Sequence, residues 1–393
     1  MFINTNYARN VRYLKENIKH FMFKRGLLII LLFRCIIFSV AQEQAILPDS
    51  TIALAMDKQI PLEERIELLA KSVPRRQEVI DACRLLLEEA REHPDKKYML
   101  RLFRVLILNL RMVGPQHTGD AFADSVLLYI NKVSDPGEVG MAYSQLSAYY
   151  LNDYATCHSY RYKAIPYLEK SPEYRYRIAE LYYYTAGDYY VFGDYDNIEK
   201  MEEELLQLYI KYKVPEASVL AYCLKSSRFS LQYATERSDS SSFYAQKAVE
   251  AFENISHSSS QLIYDAIGAT YYHLAISFYL QNTPESLEKA LEYIEKMLLN
   301  DLPDINILMR YYNVRGNIFL RQRKLKEAER EAQALFNIMS KYEDDKEFKD
   351  DFVTEYKQMY ELLVEIAEAK GNYKEALEYN RSLNDLLREI FDV

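Results

Sequence analysis

From Leu62 onward, apolar residues recur three and four positions apart, and the apolar–polar alternation of a strand is absent. Arg65-Ile66-Glu67-Leu68-Leu69 and Val79-Ile80-Asp81-Ala82-Cys83-Arg84-Leu85-Leu86-Leu87 show the pattern early. Breaks fall at Pro74, Pro94, Gly114-Pro115, Pro136-Gly137, Pro172, Pro215, Pro284 and Pro303. Proline cannot continue a helix and disfavours helix in the residue before it, so each break ends or restarts one. The intervals hold one or two helices each. The pattern predicts an all-α chain of helix after helix.

The N-terminus follows a different rule. Lys24-Arg25-Gly26 precedes the apolar run Leu27 to Val40, and Ser39-Val40-Ala41 closes it. A basic region, a short apolar run and small residues at −3 and −1 are the parts of a secretory signal, with cleavage expected after Ala41. The run is shorter than the roughly 20 apolar residues of a membrane span. Arg34 inside it opposes insertion. A start at Met22 would make the signal an ordinary one. Residues 1–41 are therefore read as a signal peptide and 42–60 as an N-terminal segment. The expected destination is the periplasm; the alternative is an inner-membrane anchor formed by an uncleaved N-terminal helix. Cys35 follows Phe33-Arg34, which is no lipobox, and no later stretch approaches spanning length.

Along the body a short motif returns: a polar turn, an aromatic or Leu, two polar residues, a small residue, then an amphipathic helix. Gly371-Asn372-Tyr373-Lys374-Glu375-Ala376 is the clearest copy. Arg323-Lys324-Leu325-Lys326-Glu327-Ala328, Ser286-Leu287-Glu288-Lys289-Ala290, Gly193-Asp194-Tyr195-Asp196 and Asn152-Asp153-Tyr154-Ala155-Thr156-Cys157 match it, and a weaker copy runs through Ser241 to Ala248. On these residues the chain resembles the tetratricopeptide repeat (TPR) family, whose helix pairs carry small residues where they cross and aromatics beside them. The family's aromatic positions match Tyr182, Tyr189 and Tyr195 around Ala186, and Tyr312, Phe319 and Leu325 around Gly316 and Ala328. In the last unit they match Tyr360, Ala367 and Tyr373, with Ala376 as the small residue.

The resemblance implies a right-handed α-solenoid of TPR-like hairpins, with a concave inner face able to hold an extended peptide or a partner's helix. It covers 138–393, with degenerate repeats over 61–137. The small positions Cys157, Ile198, Ser241, Ala290, Ala328 and Ala376 lie about 44 residues apart on average, against roughly 34 for the family. Longer helices or links follow, and HEAT-type repeats of about 40–47 residues are the nearest competitor. One hairpin cannot bury its own apolar face, so stability has to come from stacked neighbours.

Composition narrows the classes of function. Only 10 Gly and 11 Pro occur in 393 residues, too few for the tight loops of a β-sandwich or an α/β enzyme. The 36 Tyr suit packing between hairpins, each ring adding apolar area and a hydroxyl that reaches water. The net charge of −9 includes a basic leader of seven cationic groups and one acid, which leaves −15 for the remainder. So acidic a body repels phosphate backbones, and nucleic acid is excluded as a partner. Cys35, Cys83, Cys157 and Cys223 are too scattered for a disulfide framework or a zinc site.

Candidate binding residues follow from the register of the small positions. Tyr149, Tyr183 and Tyr190 are expected to point inward, and so are Asn313 and Asn317, with Arg310 a turn earlier. Asparagine amides and a guanidinium at helical spacing suit a peptide backbone or a carboxylate. Glu361, Glu365 and Glu368 on the equivalent face of the last unit would repel a carboxylate. The clusters Tyr182-Tyr183-Tyr184 and Tyr311-Tyr312 read mainly as packing, because adjacent helical residues cannot share a face. His158 follows Cys157, yet neighbouring helical residues diverge and Cys157 fills a small-residue slot, which favours packing over nucleophilic catalysis.

No phosphate loop, nucleophile elbow, dinucleotide fingerprint or metal-ligand spacing occurs, so no cofactor is expected and an enzyme is disfavoured. The expected function is an exported scaffold that binds a protein or peptide on its concave face, with no membrane contact after cleavage. The alternative is the ligand-sensing input domain of a transcriptional regulator or sensor kinase in the bacterial envelope. On that reading Glu378 to Leu387 begins a coiled coil, and a chain ending at Val393 is a truncated or stand-alone relative.

Overall fold

The computed structural model describes residues 49–71, 77–113, 119–232, 238–255, 258, 260–298, 305–342, 349 and 352–391. The expected signal peptide and the first residues of the segment after it lie outside the described residues. Within them are seventeen α-helices and no strand. They divide into two compact units, one ending at Ala217 and the other beginning at Ser218.

The first unit holds α1 (Asp49–Met56), α2 (Leu62–Lys71), α3 (Gln77–Glu92), α4 (Lys97–Val113), α5 (Asp120–Ile130), α6 (Pro136–Tyr149), α7 (Tyr154–Leu168), α8 (Arg175–Phe192) and α9 (Tyr195–Tyr212). Helix α10 (Pro215–Gln232) carries the boundary. The second unit continues with α11 (Ser238–Glu253), α12 (Gln261–Gln281), α13 (Pro284–Lys296), α14 (Ile305–Arg321), α15 (Leu325–Met339), α16 (Val353–Ala369) and α17 (Tyr373–Phe391).

Helix starts follow the sequence signals. Pro136, Pro215 and Pro284 are first residues of helices, and Pro172 opens a 3₁₀ turn ahead of α8. Proline is pre-set for that position and has no N–H to leave unpaired. Pro166 is tolerated inside α7. Asp135, Asp153 and Asp194 cap α6, α7 and α9 by accepting from backbone N–H groups of the first turn. Thr283 and Ser286 form a reciprocal capping box on α13.

The recurring turn motif has a definite geometry. In four of its copies the residue before the cap is left-handed: Gly193 (φ 66°), Asn282 (φ 54°), Arg323 (φ 59°) and Gly371 (φ 75°). That residue ends one helix, the next caps its successor, and the chain reverses within three residues. The result is a set of hairpins, α6–α7, α8–α9, α12–α13, α14–α15 and α16–α17. In the second unit α14 also packs on α12, and α16 on α14; in the first, α4 packs on α2 and α6 on α4. First helices stack on first helices, which is the repeat-like arrangement the motif implies.

The small positions sit where helices cross. Cys157, Ala290, Ala328 and Ala376 are all buried, and Ile198 is equally buried although it is not small. At Ser241 the crossing is closed by polar contacts: Ser226 Oγ donates to the Ser241 carbonyl at 3.0 Å, and Ser241 Oγ to the Ser226 carbonyl at 2.9 Å. A Cβ on Gly316 would lie 2.6 Å from Leu362 Cδ2, so its lack of a side chain sets how closely α14 and α16 approach.

Aromatics fill the remaining gaps. Tyr143 and Tyr150 both stack on Tyr160, Tyr222 and Phe229 on Tyr244, and Tyr271 and Phe278 on Tyr293. Each set joins two helices, so packing accounts for much of the tyrosine content.

The left-handed links yield a paired test. A Cβ added at Gly193 would meet only open space, so Gly193→Ala incurs backbone strain alone and should lower stability by about 1 kcal/mol. Arg323→Gly relieves the same strain and should leave stability unchanged or raised. Urea midpoints of the two variants, moving in opposite directions or with only the first falling, are the expected result.

Candidate functional site

In the second unit, the first helices α12, α14 and α16 carry a row of polar side chains. Arg310 on α14 lies between neighbours on both sides. Its guanidinium sits 5.5 Å above the Tyr272 ring of α12 and 3.7 Å from Glu355 Oε1 of α16. One turn on, Asn313 Nδ2 donates to Gln358 Oε1 of α16 at 3.0 Å. Asn317 Nδ2 then donates to both the Asn313 carbonyl and Asn313 Oδ1, at 2.8 and 3.1 Å. Another turn on, Arg321 Nε donates to the Tyr279 hydroxyl at 3.3 Å. Arg310, Asn313 and Asn317 are half-buried, so these contacts fix them without sealing them from solvent.

The electrostatics are set by burial. His273, beside Tyr272, is held down to about 4 by desolvation, with the Arg310 charge adding to the effect. Glu355 is pushed up by burial, partly offset by Arg310. The row is therefore a set of hydrogen-bonding groups in which the Arg310 cation is partly shielded by Glu355.

The three tyrosines named from sequence lie in the first unit. Tyr149 is half-buried, and its hydroxyl donates to Asp120 Oδ1 at 2.6 Å. Its ring lies where a Cβ on Gly119 would be, 2.8 Å from its nearest atom. Tyr183 and Tyr190 are 4% and 5% exposed, which leaves their rings little surface to offer a partner. The structure thus gathers Arg310, Asn313 and Asn317 into one row and spreads the tyrosines through packed surroundings.

Sequence reasoning missed an ionic ladder on the first helices of the first unit. Glu138 of α6 is 2% exposed and takes two arginines of α4: Arg101 Nε at 2.7 Å and Arg104 Nη1 at 2.6 Å. Arg101 Nη1 reaches Glu63 of α2 at 2.9 Å, and Arg104 Nε donates to Gln145 of α6. On α8, Arg177 donates Nε to Ser144 Oγ at 2.8 Å and Nη1 to Glu180. The spacing of Arg101 and Arg104 was visible, but pairing them with Glu138, more than thirty residues away, needed the stacking of α4 on α6.

The Cys157–His158 neighbourhood is structural. His158 Nε2 lies 2.9 Å from Asp188 Oδ2, and Arg161 shares that carboxylate. Burial pushes the Cys157 thiol up to about 11, so it is protonated at neutral pH. Cys83 and Cys223 are pushed up to about 12 for the same reason. Among the described residues no group of three His, Cys, Asp or Glu is arranged to hold a metal ion. No described helix is long and apolar enough to cross a membrane.

No family model matches the chain, and no curated protein matches it. Among solved structures it is similar to the apo form of RapI, at 15% identity and a TM-score of 0.46, over 75% of this chain and 100% of that one. It is also similar to a Rap protein complexed with competence and sporulation factor, at 13% identity and a TM-score of 0.39, over 87% and 99% of the two chains. Likenesses this distant assign neither a family nor a function.

Two outcomes test the effects of burial on His273 and on the cysteines. The folded pKa of His273 lies below the ordinary 6.5, so its contribution to stability is present above that pH and is lost as pH falls towards 4. Urea titrations between pH 7 and 4 should show that loss, and His273→Asn should remove part of it. Cys83, Cys157 and Cys223 should resist iodoacetamide at pH 8 in the native protein and react on unfolding. Native-state labelling of Cys157 would contradict its burial.

Proposed function

We propose that the chain is a binding scaffold, exported across a membrane, that holds a protein or peptide partner along the half-exposed face of its first helices. The observation that carries this reading is the row on α12, α14 and α16. Arg310, Asn313 and Asn317 are held in one orientation by Tyr272, Glu355 and Gln358 yet keep access to solvent. An extended peptide presents an unpaired N–H and C=O at every residue, and amide side chains match both. Groups already ordered before binding lose less conformational freedom when the partner arrives, which favours affinity. Asn317 Oδ1 accepts no hydrogen bond among the described residues, which leaves an acceptor for a peptide N–H.

Export is supported by the basic, apolar and small-residue order of residues 24–41. A concave surface lined by the first helices α12, α14 and α16 of the second unit belongs to the same reading. Catalysis by the buried cysteines is disfavoured because their thiols stay protonated at neutral pH.

The test is a displayed library of random peptides panned against the chain from Gln42 onward. Binders should lose about tenfold in affinity for Asn317→Ala and for Arg310→Gln, the cost of one hydrogen bond in a site already formed. A library that yields no binders, or binders indifferent to both substitutions, would remove the row from the partner's path.

A further inference from the structure

Rings at the surface of this protein commonly carry a cation of their own. Lys132 Nζ lies 4.4 Å from the Tyr129 ring centre, Lys163 5.1 Å from that of Tyr160, and Lys296 5.7 Å from that of Tyr293. Arg175 and Lys211 both cover Tyr212, at 4.3 and 4.5 Å. The electron-rich face of a ring attracts positive charge, and each of these pairs satisfies that attraction internally. One cluster departs from the habit. Among the described residues no lysine or arginine lies over Tyr162, Tyr182 or Tyr189.

The three rings come from neighbouring helices of the first unit. Tyr182 and Tyr189 stand two turns apart on one face of α8, and the Tyr162 hydroxyl of α7 is hydrogen-bonded to that of Tyr189. Tyr162 is 48% exposed, and Tyr182 and Tyr189 are half-buried. From α9, Glu204 accepts the Tyr182 hydroxyl on Oε2 at 3.3 Å. Burial, with the Glu204 charge adding to it, pushes the hydroxyls of Tyr162 and Tyr182 up, so the carboxylate acts on both. Glu204 is exposed and forms no ion pair among the described residues, and its Oε1 has no hydrogen-bond partner there. The cations around it are committed elsewhere. Lys200, a turn earlier on α9, donates to Asn197 at 3.0 Å, and Arg161, which acts on Tyr162, donates to Asp188 and Thr185.

Three rings without a cation thus adjoin a carboxylate without an ion pair. We propose that Tyr162, Tyr182, Tyr189 and Glu204 form a binding site for a primary alkylammonium group. The methylenes of such a group lie against the rings, whose π electrons attract the adjoining charge. The ammonium offers three N–H donors and no acceptor, which matches Oε1 of Glu204, and a hydrogen bond between two ions is stronger than one between neutral groups. The strongly acidic body raises the local concentration of any cation. The rings then select among cations, since a sodium ion has no hydrocarbon to lay on them. This inference goes beyond the peptide-holding reading and shares no residue with the row on α12, α14 and α16, so the two fail separately.

The test is NMR of the full chain carrying ring-labelled tyrosine, with signals assigned through Tyr162→Phe, Tyr182→Phe and Tyr373→Phe. Three probes are titrated at constant ionic strength: putrescine, acetyl-lysine methylamide and neutral 1,4-butanediol. Either amine should shift the Tyr162 and Tyr182 signals and leave exposed Tyr373 unmoved. Which amine binds more tightly tells a free amine from the lysine side chain of a partner. The diol should do nothing. Glu204→Gln keeps an acceptor for Tyr182 but removes the charge, and should weaken binding about tenfold. Glu203→Gln removes the same charge one residue away and should leave the affinity unchanged. Tyr162→Leu takes away one ring and should weaken binding about threefold. All three of these positions are exposed, so the fold survives and the affinities decide. Equal shifts from the diol or from sodium chloride, no shift at Tyr162 and Tyr182, full affinity in Glu204→Gln, or an equal loss in Glu203→Gln would each overturn the site.

Discussion

Close approach of helices is the constraint on which the rest of this molecule depends. A two-helix hairpin exposes as much apolar surface as it covers, and it becomes stable only when the next hairpin lies against it. That requires crossings without bulk. Ala290, Ala328 and Ala376 meet the requirement with a methyl group and Gly316 with none. Ser241 meets it with a hydroxyl that closes on the facing backbone. Once these contacts set the spacing, the tyrosine and phenylalanine rings have gaps of defined width to fill.

The same stacking gives the first helices their second property. Lying side by side, they present rows of side chains to one another, and each unit uses those rows differently. In the first unit the row is ionic, with Glu138 bridging two arginines. Burying a charge is costly unless it is paired and hydrogen-bonded, and the bidentate, shared contacts around Glu138 provide that compensation. In the second unit the row is built from amides, tyrosines and a single arginine–glutamate pair at 3.7 Å. Amides impose direction without the desolvation cost of full charge, so they hold orientation while remaining available to solvent. Both rows follow from hairpins that bring like-numbered turns of successive first helices together.

The helical class, the turn positions and the small residues at crossings could all be read from the chain, because each is local. Three- and four-residue spacing, a cap residue and a left-handed glycine act within one turn of helix. The fit was close even at Arg323, where the motif kept its geometry without its glycine. Arg310, Asn313 and Asn317 were also legible as a face, since one helix carries all three.

What a side chain on that face meets is another matter. Tyr183 and Tyr190 share the inward register yet are buried, because exposure depends on how near the next helix comes. Glu138 gave no sign from its neighbours that it would anchor Arg101 and Arg104 from another helix. The sequence by itself therefore determined which residues form helices, where those helices reverse and where they can cross. Only the tertiary structure decided which charges meet and which rings are covered, because those outcomes rest on distances between segments that are remote in the chain.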